Sequence, residues 1–232
     1  RIEQRFGVGE KWGIMLGYSA SDIGDIRDSG LGTMRGTGYS QISHDLKLEY
    51  ALTPSQTLTL AHFHLDQNDL SRWHNTIHNP GWSQGSSFTT AGTDLSRDYD
   101  QERSLTYLRF EETNANSSWI DRYQATISFQ RTQDSEFRVR ESGRSDTRIL
   151  DIDTFGLSLV AGTGETVWGA DYFHDQIDSQ GFRNSIPRPS NRPIADDSTY
   201  ESIGVFTNYT GAIAQRFTYD TGARFTYIQT QW

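Results

Sequence analysis

The stretch from Arg122 to Phe129 alternates between polar and apolar side chains. Successive side chains of an extended strand point to opposite faces, so this stretch predicts a strand with one apolar and one polar face. Such a strand suits a soluble sandwich, whose polar face meets water, and also an outer-membrane barrel, whose apolar face meets lipid. The pattern along the rest of the chain is needed to distinguish these two architectures. The apolar face carries Tyr123, Ala125, Ile127 and Phe129.

The same alternation recurs along the chain and predicts about ten strands. In one of them the alternation changes side after Leu60, because Ala61, Phe63 and Leu65 fall on the other face. The predicted strands are residues 1–7, 11–19, 39–52, 57–67, 98–112, 118–134, 148–161, 166–177, 199–209 and 215–232.

The connections between these strands are alternately short and long. A bacterial outer-membrane barrel has this pattern, because its short turns face the periplasm and its long loops face the outside. Most predicted strands reach about 10 residues, the length that a tilted strand needs to cross the apolar layer. The sequence therefore predicts an all-β protein, an antiparallel transmembrane β-barrel segment. The predicted connections are 8–10, 20–38, 53–56, 68–97, 113–117, 135–147, 162–165, 178–198 and 210–214.

Composition agrees with a barrel that has a polar interior. Only 34% of the 232 residues are hydrophobic and the mean hydropathy is -0.68, whereas a compact soluble core of this size draws on more Leu, Ile and Val. The net charge of -9, together with the lack of any Lys/Arg-rich run, argues against a nucleic-acid partner. The chain has no cysteine, so it has neither disulfides nor thiol chemistry.

The long connection 68–97 carries the candidate ligand-binding side chains. Its aromatic, histidine and arginine side chains would stand above an acidic lumen and offer stacking and hydrogen bonds to a ligand. The alternative is that they only fold the loop onto its neighbours. These candidates are Arg72, Trp73, His74, His78 and Trp82.

Two histidines of this loop have the spacing of a metal pair. His74 and His78 are four residues apart, which would place both on one face of a helix. The sequence lacks the glutamate of the zinc-protease motif, and Asn79-Pro80-Gly81 stops any helix. We therefore predict no metal site and no cofactor.

Polar side chains of two strands are predicted to face the lumen, where they would contact a plug or a passing ligand. The alternative is a solvated ladder of cross-strand ion pairs. These residues are Arg122, Gln124, Arg216 and Arg224.

A further set, Asp171, His174 and Asp175, has the residue types of a hydrolytic site at a barrel rim. Hydrolysis of this kind needs a nucleophile or a second matching cluster, and the sequence offers neither. We predict no catalytic residue and no enzymatic activity.

Several segments resemble the barrel portion of TonB-dependent outer-membrane receptors. The resemblance is diffuse, spans most of the chain and lies in strand patterns rather than in a catalytic signature. The segments are Gly24-Asp25-Ile26-Arg27-Asp28-Ser29-Gly30, Arg72-Trp73-His74 through Gly81-Trp82, Arg97-Asp98-Tyr99-Asp100-Gln101-Glu102-Arg103, Trp168-Gly169-Ala170-Asp171-Tyr172, Tyr200 to Phe206 and Thr221-Gly222-Ala223-Arg224-Phe225.

The resemblance implies a barrel of about 22 strands with an N-terminal plug. Such receptors import scarce nutrients, usually iron chelates (siderophores), haem or cobalamin, with energy relayed by the TonB complex. The sequence shows neither a plug domain nor a TonB box, so we expect residues 1–232 to be part of a barrel, cut at both ends. The expected location is the outer membrane of a Gram-negative-type bacterium. The expected partners are outer-membrane lipid, a plug domain of the same protein, through it the TonB complex, and a small-molecule ligand.

Two other readings stay open at the level of sequence. One is a complete small barrel of about ten strands that acts as a protease or adhesin. The other is a soluble β-sandwich or glycan-binding module, which the strand lengths and the alternating connections disfavour.

Overall fold

A computed structural model describes residues 1–30, 32–73, 75–78, 92–115, 117, 119–213 and 217–232. Within these ranges the chain is almost entirely antiparallel β-structure, as the alternating sequence predicted. The strands are β1 Ile2–Val8, β2 Trp12–Ile23, β3 Ile26–Asp28, β4 Gly32–Met34, β5 Tyr39–Thr53, β6 Gln56–Asn68, β7 Asp94–Glu112, β8 Arg122–Arg140, β9 Ser145–Thr163, β10 Thr166–Arg183, β11 Ile186–Pro187, β12 Ser198–Ile213 and β13 Phe217–Gln231.

Ten of the strands form one continuous sheet in which neighbours in sequence are neighbours in space, in the order β1-β2-β5-β6-β7-β8-β9-β10-β12-β13. The strands β3 and β4 form a separate hairpin in the connection that follows β2, and β11 pairs with the end of β10. A single turn of 3₁₀ helix spans Pro189–Asn191. In the described part of the chain, no helix has the length and apolar character to cross a membrane.

Two adjacent rows on one face of this sheet carry apolar side chains on every strand from β2 to β13 along the sheet order. Cross-strand pairing joins Trp12, Tyr50, Leu58, Phe110, Ala125, Leu159, Ala170, Val205 and Phe225 in the first row. The second row is Ile14, Leu48, Leu60, Leu108, Ile127, Leu157, Tyr172, Ile203 and Tyr227.

We call the face with these rows the apolar face and the opposite one the polar face. Leu108 and Ile127 in the middle of the sheet are 44% and 50% exposed, so the described residues form no second layer over them. A soluble sandwich buries its apolar face against a second sheet, and this sheet does not. The exposed apolar face therefore fits a surface that contacts lipid.

The change of side within β6 needs no bulge. The register of β6 with β7 is continuous from Gln56 to Gln67, and Phe63 lies on the polar face opposite Leu105. The polar face therefore carries a local apolar patch between β6 and β7. A shift of register in this region lies at the other end of β5, between Ala51 and Thr53.

The prediction of a charged loop at residues 135–147 is wrong. The strand β8 continues to Arg140 and β9 begins at Ser145, so only residues 141–144 form the turn. The charged side chains there alternate with apolar ones and belong to strands that extend beyond the apolar rows. Other strands are also longer than predicted, since β2 reaches Ile23 and β10 reaches Arg183.

The strict alternation of short and long connections also fails at this place. The connection from β7 to β8 spans residues 113–121, because β8 begins at Arg122 and not at residue 118. It is longer than the turn 141–144 that follows. Long connections at 24–38, 69–93 and 184–197 nevertheless all lie at the same end of the sheet, which agrees with one looped and one turned end.

Candidate ligand-binding surface

At the looped end of the sheet, strands β7 to β10 carry a cluster of charged side chains on the polar face. Glu136 lies nine residues beyond Ile127 of the apolar rows along β8. At 3.3 Å per residue this places it roughly 30 Å further along the strand, toward the long loops. The cluster therefore lies outside the apolar band.

Glu136 is the centre of the first charged group. Its carboxylate accepts a 2.7 Å hydrogen bond from Nε of Arg97 on β7 and a 3.1 Å hydrogen bond from Nη1 of Arg148 on β9. The ring of Tyr99 lies 5.5 Å from the Arg97 guanidinium. Burial raises the pKa of Glu136, but the hydrogen bond and charge of Arg97 outweigh it, so the pKa of Glu136 lies below its usual range. The carboxylate is thus ionised and links three strands.

Asp94 owes its place on the polar face to a β-bulge. The register between β7 and β8 shifts between Asp94 and Ser96, so Leu95 is an extra residue and Asp94 pairs with Arg140. Without the extra residue in the bulge, regular alternation would turn Asp94 to the apolar face. In the bulged strand its Oδ2 lies 3.1 Å from Nε of Arg138.

Asp146, near the start of β9, forms ion pairs with three arginines. Arg144 donates to it through Nε at 3.1 Å and Nη2 at 2.7 Å, and Arg140 and Arg183 contact it at 3.4 and 3.5 Å. The amide of Asn191, in the loop after β10, also donates to Asp146 at 3.3 Å. Burial raises the pKa of Asp146, but the hydrogen bond from Arg144 and the charges of Arg144 and Arg140 outweigh it and hold the pKa at about 2.

These groups, with one arginine from the loop, form what we call the arginine cluster. Its carboxylates lie underneath, with side chains only 4–9% exposed, while the paired arginine side chains are 15–37% exposed. The surface that the cluster presents is therefore made of guanidinium groups. The cluster consists of Arg72, Arg97, Arg138, Arg140, Arg144, Arg148 and Arg183 with Asp94, Glu136 and Asp146.

The structure places three of the five predicted loop candidates. Arg72 is exposed and lies 5.0 Å above the ring of Tyr99, so it joins the arginine cluster. Trp73 donates from its indole N–H to the backbone oxygen of Arg35 at 2.7 Å, which ties the loop to the connection after β4. His78 is exposed. His74 and Trp82 lie outside the described residues, and contact of any candidate with a ligand stays a prediction.

Three of the four residues predicted to face the lumen lie in described strands, on the polar face. Arg122 donates to the backbone oxygen of Gly164 at 3.0 Å and closes the turned end of the sheet. Arg224 donates to Asp171 at 2.9 Å across β12. The amide of Gln124 donates to Thr126 at 3.4 Å. Arg216 lies outside the described residues, and contact of the other three with a plug or ligand stays a prediction.

The structure does not bring the residues of the supposed hydrolytic set together. Asp171 and Asp175 point to the polar face, whereas His174, at an intervening position, points to the apolar face and contacts Glu201 at 3.1 Å. The carboxylates that do converge in the described part of the chain are those of Asp178, Asp196 and Asp197, whose oxygens lie within 4.8 Å of one another. They are partly exposed, and Asp196 is already paired with Arg192 at 2.8 Å.

Sequence reasoning missed most of the arginine cluster because it treated residues 135–147 as a loop. A usable signal was present, since Glu136, Arg138 and Arg140 continue the polar phase that starts at Arg122, and Phe137 and Val139 continue the opposite phase. The period of two thus runs through the whole of β8.

Comparison with known proteins supports the fold. No family model matches the sequence, and no curated protein matches it. Among solved structures, the copper transporter OprC has a TM-score of 0.66 at 12% identity over 95% of this chain and 34% of its own. The ferric preacinetobactin receptor BauA from Acinetobacter baumannii has a TM-score of 0.66 at 14% identity, over 99% of this chain and 38% of its own.

The FrpB iron transporter from Neisseria meningitidis gives a similar result, with a TM-score of 0.65 at 15% identity over 98% of this chain and 38% of its own. The chain thus spans little more than a third of the length of these three proteins. All three are named as transporters or receptors rather than as enzymes. In its fold, the chain is similar to a segment of the barrel of TonB-dependent outer-membrane receptors, as the resemblance in sequence predicted.

Proposed function

We propose that residues 1–232 form part of the barrel of a TonB-dependent outer-membrane transporter that takes up a scarce nutrient, such as an iron chelate (siderophore), haem or cobalamin. The observation that carries the proposal is the pair of exposed apolar rows on one face of a sheet whose other face is mainly polar. In a membrane barrel the first face contacts lipid and the second lines the lumen. The similarity in fold to outer-membrane receptors supports the same arrangement.

The proposed barrel includes strands beyond those of the sheet. In the described residues β1 and β13 are the two ends of the sheet order and do not pair with each other. Unpaired strand edges are costly in lipid, because no water satisfies their N–H and C=O groups. Further strands of the same protein would satisfy both edges. A plug domain of the same protein would fill the lumen and receive the energy that the TonB complex relays.

The proposed ligand path runs along the polar face, from the long loops to the turned end. Arg72, Trp73 and His78 stand at its loop end, and Arg122, Gln124 and Arg224 lie further toward the turns. The undescribed His74, Trp82 and Arg216 belong to the same proposed set by their place in the sequence.

The test is carried out with the full-length protein in a Gram-negative host that lacks its own iron-chelate receptors. We expect the protein in the outer-membrane fraction, and we expect it to restore growth on scarce iron only when a working TonB complex is present. A panel of iron chelates, haem and, in a cobalamin-requiring strain, cobalamin covers the nutrient classes. Recovery of the protein in the soluble periplasmic fraction, or equal growth with and without TonB, would contradict the proposal.

A further inference from the structure

We infer that the arginine cluster is a recognition site for a polyanionic, oxygen-rich chelate, such as a metal held by catecholate or carboxylate groups. The inference rests on the proposed uptake function and names the ligand class of that path. It is carried by the charge balance, the layering and the rigidity of the cluster.

The cluster is locally positive in an acidic chain. Its seven arginines are a third of the 21 lysines and arginines of the whole sequence, whose net charge is -9. They face three carboxylates within the cluster and a fourth, Asp134, one position further down β8, which accepts a 2.8 Å hydrogen bond from Gln101. Counting also Glu141, in the turn between Arg140 and Arg144, two positive charges remain in excess. A surface of one sign, with low-dielectric walls, concentrates ligands of the opposite sign.

The excess charge faces outward because the carboxylates are the buried layer. Asp94 and Asp146 have side chains 4% and 5% exposed, whereas the Arg148 side chain above Glu136 is 37% exposed. A guanidinium has five N–H donors, and the ion pairs described above use one or two nitrogens of each arginine. Further N–H groups therefore remain to bind the oxygens of an anion.

The donors are held in fixed orientations. The guanidiniums of Arg72 and Arg97 both lie over the ring of Tyr99, at 5.0 and 5.5 Å from its centre. Arg97 and Arg148 share the carboxylate of Glu136, so they are held on neighbouring strands. A planar guanidinium with a fixed orientation suits two-point binding of carboxylate or catecholate oxygens, and less ordering entropy is lost on binding.

A purely structural role explains this arrangement less well. Ion pairs that only fasten β7 to β10 need as many positive as negative charges, and each unmatched arginine adds repulsion. Arg72 is exposed and contacts the ring of Tyr99, and among the described residues no carboxylate forms an ion pair with it. Its charge serves a negative partner that is not part of the cluster.

The experiment compares two iron complexes of opposite character on the full-length protein in outer membranes. The probes are the trianionic iron(III) tris(catecholate) and the uncharged iron(III) tris(acetohydroxamate), both with radiolabelled iron, and both binding and uptake are measured. The variants are Arg72→Gln and Arg148→Gln. Neither orphans a buried carboxylate, because Glu136 keeps its 2.7 Å bond to Arg97. The matched control is Arg131→Gln, which removes the same charge from the apolar face, where Arg131 lies 3.8 Å from Asp153.

We expect each cluster variant to weaken binding of the anionic complex about tenfold, the usual effect of one charged hydrogen bond. Arg131→Gln should leave it unchanged, and added salt should weaken it in the wild type. The inference is overturned if the uncharged complex binds as tightly as the anionic one, or if Arg131→Gln acts like Arg72→Gln. In those cases uptake that still requires TonB would leave the proposed function standing. TonB-independent growth on every nutrient in the panel would end the proposed function, whatever the anionic complex does in the binding assay.

Discussion

Arg97 on β7 and Glu136 on β8 are joined by a 2.7 Å hydrogen bond, and the same carboxylate reaches Arg148 on β9. One side chain thus links three strands, at a place beyond the apolar rows. Removing a partner from a buried ion pair costs more than the pair contributes, because the remaining charges lose their compensation.

We therefore expect Glu136→Gln to destabilise the protein by about 2 kcal/mol, because a neutral amide cannot balance the charges of two guanidiniums. The guanidiniums keep part of their hydration, which keeps the cost from being larger. Urea unfolding in detergent micelles, followed by tryptophan fluorescence, measures the change. Glu141→Gln in the exposed turn after β8 is the control and should alter the free energy of unfolding by less than about 0.5 kcal/mol. Equal effects of the two substitutions would show that Glu136 does not hold the strands together.

Asp146 should make the loop end of the sheet sensitive to acid. Its pKa of about 2 lies below the usual value of 3.8, so its contribution to stability is present above about pH 4 and is lost as the pH falls toward 2. The loss amounts to at most about 2 kcal/mol, because the arginines around it are partly hydrated.

The measurement is the free energy of unfolding of the wild type and of Asp146→Asn between pH 2 and pH 6. The variant should show a flatter dependence below about pH 4, since it has no carboxylate to protonate. An unchanged slope in Asp146→Asn would exclude Asp146 as the source.

The apolar rows predict that a lysine destabilises the protein by different amounts at two neighbouring positions of β8. In the proposed membrane barrel, Ile127→Lys places a charge among lipid tails, so it should cost about 2–4 kcal/mol on folding into bilayers. Ser128→Lys points to the polar face and should cost less than about 1 kcal/mol, because that face lines the water-filled lumen of the proposed barrel. Equal tolerance of both lysines, measured by refolding into lipid vesicles, would argue that water and not lipid covers the apolar face.

Gly143 has a φ of +78° in the turn between β8 and β9, a conformation that strains any residue with a Cβ. Gly143→Ala should cost about 1 kcal/mol and should raise the unfolding rate of this hairpin. Gly7 in β1 has free space around its Cβ position and no positive φ, so Gly7→Ala is the matched control and should cost little. Chemical unfolding of both variants, side by side, tests the difference.

Local alternation was enough to predict the ten strands of the main sheet and the faces of their side chains, because side chains on one face of a β-strand recur every two residues. It also detected the change of side at Phe63, which the register confirms without a bulge. It did not predict the short strands β3, β4 and β11. The reach of β8 was missed although the same period continues to Arg140, because Glu136, Arg138 and Arg140 also resemble a solvated loop when their partners are not known.

The arginine cluster depends on pairing between segments far apart in sequence. Arg97 and Glu136 are 39 residues apart, and Asn191 reaches Asp146 across 45 residues. The extra residue Leu95, which turns Asp94 toward Arg138, leaves no mark in composition or periodicity. Such contacts follow from register, and register is set by the whole sheet.

The short turn at residues 141–144 has a consequence for the order of assembly. It joins β8 and β9, which pair over 18 residues in each strand. It is the shortest connection between two sheet strands at the looped end. Loop closure costs little entropy for such a turn, and contacts of low sequence separation form first. We expect β8 and β9 to pair early. The link from Arg97 to Glu136 joins β7 to β8, whose connection at 113–121 is longer and lies at the other end of that hairpin, so we expect this link to form later. The positive surface then becomes complete only after β7 has paired with β8.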